Sequence, residues 1–347
     1  MSRLARIVIV GLITASLAVF AGGSVSLGAT VRKVALGVGM NDSRNPTVLE
    51  NFKTSVGRYP AIWTLWSDWG QPGTGVNGKE FPTAMATYLK DRHIVPMITW
   101  EPINPSNQTD CTNWSNQAIL NDLNLGVGHQ YYDYVRGWAE AAKAHGGRVL
   151  LRFMHEMNGP FFIWGKDRCT NTALTIKNLW QKVWTIFHDV GATNVKFLWS
   201  VSSAKNATAV YPGNGYVDYM GLSAFNWAKN TTPGRFDRWR SMVNAFSVTM
   251  PTLLNLSTKP IIAAEVGSGE LPTCSTCSKP NWIKTGYPAV RTKWPRVKAI
   301  VYLNIDLTSI GHPNWSLTSP PAALDEYRII VNDIRFKGGL PCWISSC

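Results

Sequence analysis

Residues 148–165 read RVLLRFMHEMNGPFFIWG. An apolar run of strand length, Arg148–Phe153, stops at Met154, His155 and Glu156. Asn158, Gly159 and Pro160 then make a turn, and Phe161, Phe162 and Trp164 follow. A buried strand has no use for an ionised Glu at its end, since burying an unpaired carboxylate is costly. A plain surface loop has no use for three aromatics in four residues. Strand, carboxylate, turn and aromatic wall together read as the floor of a binding cleft.

Seven further apolar runs repeat the first part of that pattern, at Val34–Val38, Ile62–Ser67, Val95–Trp100, Val195–Ser200, Tyr219–Phe225, Pro260–Val266 and Ala299–Ile305. Near-continuous apolar runs are expected of parallel strands covered on both faces. Helical periodicity falls between several of them, at Thr83–Asp91, Tyr131–His145, Ala173–Val190, Arg235–Phe246 and Leu324–Phe336, with Gly146 and Gly191 as helix stops. Eight strands with intervening helices predict a single (β/α)₈ barrel. A doubly wound sheet is the alternative, but no G-x-G-x-x-G follows an early strand. The 347 residues and a 45% hydrophobic share suffice for one such core.

Residues 1–29 carry a basic start, the apolar run IVIVGLITASLAVF and then small residues, which is the layout of a secretory signal peptide. The expected organisation is therefore a leader over 1–29 and one catalytic domain over 30–347, secreted and monomeric. Cleavage after Ala21, Ser26 or Ala29 stays open. The apolar run is short for a membrane span, so no membrane association is expected after cleavage. Six Cys in a secreted chain fit three disulfides. Cys274 with Cys277 and Cys342 with Cys347 are the close pairs, which leaves Cys111 with Cys169.

The formal charge is +13, yet the Lys and Arg are scattered. The densest stretch, KWPRVK at Lys293–Lys298, reads as a solvated helix end, so nucleic acid is not an expected partner. No His/Asp cluster has ligand spacing, and neither metal nor organic cofactor is expected. The sixteen Trp and eleven Tyr offer flat faces for sugar rings or for bases, and either partner fits on composition alone; the paired carboxylates described next make a polysaccharide the expected partner.

Barrel enzymes work at the C-terminal ends of their strands. Glu156 ends the fourth run, Glu265 ends the seventh, and those strands face each other across a barrel of eight. Glycoside hydrolysis needs two such carboxylates, one donating a proton to the leaving oxygen and one attacking the anomeric carbon. The gap is about 5–5.5 Å in retaining enzymes and about 6.5–9.5 Å in inverting ones. A barrel that binds carbohydrate without turnover is the reading from another class, and the presence of both Glu residues speaks against it.

The segment Arg152-Phe-Met-His155-Glu156-Met-Asn158-Gly159, with Trp164-Gly165 behind it, resembles the acid/base motif of glycoside hydrolase family 26. Ala264-Glu265-Val266-Gly267-Ser268 resembles that family's nucleophile motif. The resemblance implies a retaining endo-β-glycanase acting on β-1,4-mannan, or on mixed-linkage β-glucan or another β-glycan. It makes Glu156 the acid/base and Glu265 the nucleophile. His155 and Asn158 are expected to bond the catalytic groups or sugar hydroxyls, and Trp164 to offer a flat platform, with Phe161 and Phe162 packed under the loop. Trp100, Glu101, Trp199, Trp227 and Asn304, at other strand ends, are candidate substrate contacts. Arg152, inside the fourth strand, is expected to orient Glu265 or Glu101. Two departures stand out. Glu101 occupies a position where family mannanases often carry His, and Ser223 and Phe225 stand where they tend to carry Asp and Tyr.

Overall fold

The computed structural model describes residues 31–70, 79–103, 111, 115–233, 235 and 237–339. The proposed leader and the Cys342–Cys347 pair lie outside them. From Lys33 onward the chain forms one unit. Its eight strands are β1 (Ala35–Gly39), β2 (Ile62–Asp68), β3 (Val95–Glu101), β4 (Val149–Phe153), β5 (Val195–Val201), β6 (Tyr219–Asn226), β7 (Ile261–Ser268) and β8 (Val297–Leu303). They pair in chain order, all parallel, and β1 closes on β8. The expected (β/α)₈ barrel is what forms, and each strand keeps to within about two residues of its apolar run.

Helices α1 (Pro46–Val56), α2 (Thr83–Lys90), α3 (Asn116–Leu125), α4 (Gln130–His145), α5 (Ala173–Val190), α6 (Ala207–Val210), α7 (Met242–Ser247), α8 (Met250–Leu256), α9 (Lys279–Lys293) and α10 (Ala322–Asn332) make the outer shell. Two helical expectations need correction. The stretch from Arg235 to Arg240 is not helical, because Arg235 pairs with Asp237 two residues on and Asn230 also bonds Asp237. Helix α7 starts only where Ser241 accepts the Asn244 N–H as an N-cap. The last helix stops at Asn332, since Asp333 turns extended and caps a separate 3₁₀ turn by accepting from Arg335 N–H. The basic hexapeptide at 293–298 straddles the end of α9 and the start of β8 rather than forming one helix end.

Side chains alternate in and out along each strand. Ala35, Ile62, Met97, Leu150, Leu198, Tyr219, Ile262 and Ala299, one from every strand, form a buried interior cluster. Their neighbours Leu36, Trp63, Ile98, Leu151, Phe197, Met220, Ala263 and Ile300 belong to the layer between strands and helices. Gly37 keeps the interior open at β1: a Cβ there would meet the Ile62 Cβ at 2.8 Å. One turn toward the C-terminal end, the buried interior side chains become polar, with Thr64, Thr99, Arg152, Ser200, Ser223 and Glu265. The barrel is thus apolar at its base and polar at its mouth.

Strand β7 breaks the alternation. Leu222 pairs with Ala263, but Ser223 pairs with Glu265, so Ala264 is one residue more than β6 can match. The same extra residue shows against β8, where Ala263 and Val266 pair with Ile300 and Tyr302. A bulge re-aims the residue that follows it. Ala264 faces the interior and Val266 the helical layer, which leaves Glu265 on the interior side.

Candidate active site

Arg152 is fully buried on β4, and its Nη1 lies 2.8 Å from Glu265 Oε1 on β7. Its Nη2 donates to Glu265 Oε2 at 3.3 Å and to the Ser223 hydroxyl at 3.2 Å, and its Nη1 to the Thr99 hydroxyl at 3.5 Å. A guanidinium fork matches a carboxylate in this two-point way and fixes its plane. Of the two partners expected for Arg152, the structure joins it to Glu265.

Glu156 reaches the same place by a different route. Met154 and Glu156 both have positive φ, 46° and 55°, in the turn that leaves β4. Left-handed backbone costs an L-residue about 1–2 kcal/mol, and such strain persists where the surroundings fix it. Here Met154 N–H donates to Trp100 O at 3.1 Å and Glu156 N–H to Ser200 O at 2.8 Å, clamping the turn to β3 and β5. Burial raises the proton affinity of Glu156, and the charge of Glu265 raises it further. The Ser223 hydroxyl, bonded to its carboxylate, and Arg152 oppose the shift. Ser223 therefore links Arg152 to Glu156.

Glu101, at the end of β3, is a third acid at the mouth. Burial and the charge of Glu265 push its carboxyl up to about 7, against the pull of Arg152. Asp68, paired with Lys79, sits beside it and adds to the repulsion. His155 Nδ1 lies 3.7 Å from Glu101 Oε1, too far for a hydrogen bond. Burial, and then the charge of Arg152, hold His155 well below its usual proton affinity, so it stays neutral.

Four candidate contacts need correction. Trp164 is 1% exposed, donates to His155 O at 2.8 Å and lies flat under Phe162, with centroids 4.6 Å apart. It is a foundation, not a platform. Asn158 is spent on the neighbouring backbone, donating to Ser203 O and Lys205 O and accepting from Ser202 N–H. Trp100 and Trp199 are fully buried on the outward side of their strands. Trp100 packs on Trp138 at 4.5 Å and Trp199 on Tyr211 at 4.9 Å. The reading of Phe161 also reverses, since it is 71% exposed.

Trp227, just past β6, is half-buried against His312 and Trp315 and lines a small cavity with Lys229 and Glu270. Phe225 stacks on Trp315 at 4.3 Å, so no hydroxyl from this position meets Glu265. Asn304, half-buried after β8, accepts from Leu317 N–H at 2.7 Å and thereby holds the loop that carries Trp315. Sequence reasoning misses Trp315 altogether and gives Ser223 only as a departure, not as the link between Arg152 and Glu156, while Phe162 packs as expected. The strand alternation marks Ser223, two residues after Gly221 on the interior face; nothing local marks Trp315, whose place depends on a long loop. Disulfides join Cys111 to Cys169 and Cys274 to Cys277. Among the described residues no helix is long and apolar enough to cross a membrane, and no group of three or more His, Cys, Asp or Glu could hold a metal ion.

Known proteins resemble the chain over most of this architecture. Endoglucanase H of Acetivibrio thermocellus is 29% identical over 310 residues, covering 87% of this chain and 31% of that protein. A mannan endo-1,4-β-mannosidase of Bacillus subtilis strain 168 is 30% identical over 188 residues, half of this chain and 47% of that protein. The chain thus spans under half the length of either relative. Among solved structures, the catalytic domain of an endo-β-1,4-mannanase from Bacillus sp. JAMB-750 superposes with a TM-score of 0.61 at 17% identity, covering 88% of this chain and 87% of that one. At that identity the likeness speaks for the fold alone. The model of glycosyl hydrolase family 26 matches residues 48–262, which run from α1 into β7 and include Arg152, Glu156 and Ser223. The chain belongs to glycosyl hydrolase family 26.

Proposed function

We propose that the protein is a secreted retaining endo-β-glycanase in which Glu265 is the nucleophile and Glu156 the acid/base. The observation that carries the reading is the unlike environment of two carboxylates joined through Arg152 and Ser223. Glu265 holds the guanidinium directly. Glu156 meets a hydroxyl and is kept protonated longer by burial and by its charged partner. A carboxyl whose proton affinity is raised suits the acid, and a carboxylate clamped by a guanidinium suits the nucleophile.

Glu265 attacks the anomeric carbon while Glu156 gives its proton to the departing glycosidic oxygen. The ester that forms has no charge, so the repulsion that raised Glu156 disappears, its proton affinity falls, and it stays ionised after giving up its proton, ready to act as the base. It then takes a proton from water, whose oxygen displaces Glu265 and restores the starting state.

The substrate proposed is a β-1,4-mannan, in line with the several mannan endo-1,4-β-mannosidases among the relatives. A β-glucan is the second reading, and a specific observation favours it. The match to Endoglucanase H covers 87% of the chain, whereas those to the Bacillus subtilis mannosidases cover 42% and 50%. Glu101, Ser223 and Phe225 also depart from the mannanase pattern within the site itself.

Reducing-sugar release from galactomannan, glucomannan, barley mixed-linkage glucan, laminarin and xylan decides the matter, with Glu265→Gln assayed alongside. Release from the mannans, absent in the variant, supports the proposal, and release from barley glucan alone selects the second reading. An active Glu265→Gln enzyme overturns the assignment of the nucleophile. Silence on all five polymers favours the barrel that binds without turnover.

A further inference from the structure

The loop between β8 and α10, residues 304–321, stands at the mouth beside the strand that carries Glu265. Its two limbs are stitched together. Asn304 accepts from Leu317 N–H at 2.7 Å, Trp315 N–H donates to Ile305 O at 3.0 Å, and Asp306 accepts from Asn314 Nδ2 at 2.9 Å. Trp315 stacks on Phe225 with centroids 4.3 Å apart, and a Cβ added at Gly267, two residues past Glu265, would meet Trp315 Cγ at 3.0 Å. Trp227 lies against two rings of this loop, 5.9 Å from Trp315 and 4.7 Å from His312. The pose of Trp227, half-buried just past β6, therefore follows the loop.

Lys279 grips that loop from the neighbouring one. It opens α9, just after the Cys274–Cys277 bridge, and is fully buried. Both facts count against a cation: the first turn of a helix is its positive end, and a buried ammonium is costly unless bonded. Its Nζ donates to Asn314 O at 2.9 Å, to Ser316 O at 2.7 Å and to Ser319 O. An ammonium has three protons, and all of them go to carbonyls of one loop. A neutral amine has two protons and a lone pair, so one of those carbonyls would then face the lone pair. The grip thus depends on the charge. Burial pushes the ammonium down to about 8, against the pull of Glu270, which accepts from Lys279 N–H at 2.8 Å, and of Asp306. The other charged groups at the loop are Lys229, which donates to Gly311 O at 2.9 Å, and His312, which burial and then Lys229 hold below its usual proton affinity.

We propose that Lys279 is a positioning residue for the substrate: by gripping the loop after β8 it holds Trp315 and His312, and through them the ring of Trp227 on which a sugar of the β-glycan rests. This role rests on the β-glycan cleft proposed above and holds for either polymer. Lys279 acts on binding rather than on the reacting atoms, so its removal changes KM and spares kcat.

The test uses the full chain, with Lys279→Met, Trp227→Ala and the double variant, on galactomannan or barley glucan, whichever the parent cuts. Lys279→Met should raise KM about tenfold, the size of one displaced aromatic contact, and keep kcat within about twofold. In the Trp227→Ala background the same substitution should leave KM where it stands, because its effect passes through that ring. In the parent, KM should rise between about pH 7 and about pH 9 as Lys279 loses its proton, and in Lys279→Met it should not. An unchanged KM in Lys279→Met overturns the proposal, as does an equal rise with and without Trp227. If Lys279→Met does not fold, the parent decides: a KM that rises over that pH range supports the grip, and a flat one overturns it. A parent that binds either polymer without cutting it refutes hydrolysis but not Lys279, and Kd then replaces KM in each comparison. A parent that neither binds nor cuts either polymer overturns both.

Discussion

At the scale of single residues, the three acids at the mouth differ by what surrounds each. Glu156→Ala should abolish cleavage of polymer while an activated aryl glycoside still forms the intermediate slowly, and azide should restore turnover; a full-rate variant would sink the assignment. Glu101 is a different matter. Its folded carboxyl titrates at about 7, above the usual 4.5, so the folded protein holds this proton where the unfolded chain releases it. Stability from this group is therefore present below about pH 4.5 and is lost as pH rises through 7, up to about 3 kcal/mol in all. Glu101→Gln removes the loss: urea unfolding should show the variant gaining on the parent between pH 5 and pH 8, and a constant difference would rule out the buried charge. Trp100 makes the opposite kind of prediction. Trp100→Ala should cost about 3–5 kcal/mol of stability and leave KM nearly unchanged, since the ring packs on Trp138 outside the cleft. A raised KM in a stably folded variant would return Trp100 to the substrate. Glu156 and Glu265 were legible because charge at the end of an apolar run is costly. Trp100 and Trp199 were misread because being last in a strand was taken as facing the mouth. Each is followed by the residue that does face it, Glu101 or Ser200, and counting by twos from Met97 or Leu198 separates them.

At the scale of elements, the strands were legible because burial on both faces demands an unbroken apolar run, whereas helices had competitors. The stretch 235–240 has helical spacing, but the Arg235–Asp237 pair and the Asn230 contacts offer its backbone another arrangement, and local side-chain bonds of this kind win over weak periodicity. The β7 bulge could not be read at all. AAEVG looks the same with or without an extra residue, and only the registers against β6 and β8 reveal it. Deleting Ala264 should return β7 to regular alternation with Glu265 still on the interior side, between Ala263 and Val266 on the helical layer, but without the bulge that aims its carboxylate at Arg152. The expected outcome is a loss of activity of about 10²-fold, the effect of misplacing a reacting group by about 1 Å. Ala264→Gly should retain activity, which separates the count of residues from their identity; an active deletion variant would show that the bulge is dispensable.

At the scale of the whole molecule, barrel closure was legible from eight runs in order, and the Cys111–Cys169 and Cys274–Cys277 bridges from the number and spacing of Cys. The Cys111–Cys169 bridge spans 58 residues of sequence, and a loop of that length constrains the unfolded chain by about 4 kcal/mol. Cys111→Ser with Cys169→Ser should lower unfolding stability by an amount approaching that value, whereas an unchanged midpoint in denaturant would mean that the unfolded chain is already restricted. The Arg152–Glu265 pair has a meaning beyond chemistry. A chain severed in the segment between β5 and α6 leaves Arg152 and Glu156 on one fragment, Ser223 and Glu265 on the other. Neither fragment owns a complete site, and the guanidinium that orients the nucleophile belongs to the opposite piece. Recovered turnover on mixing the two would therefore count reassembled barrels one by one, making the enzyme its own reporter of whether its halves have found each other.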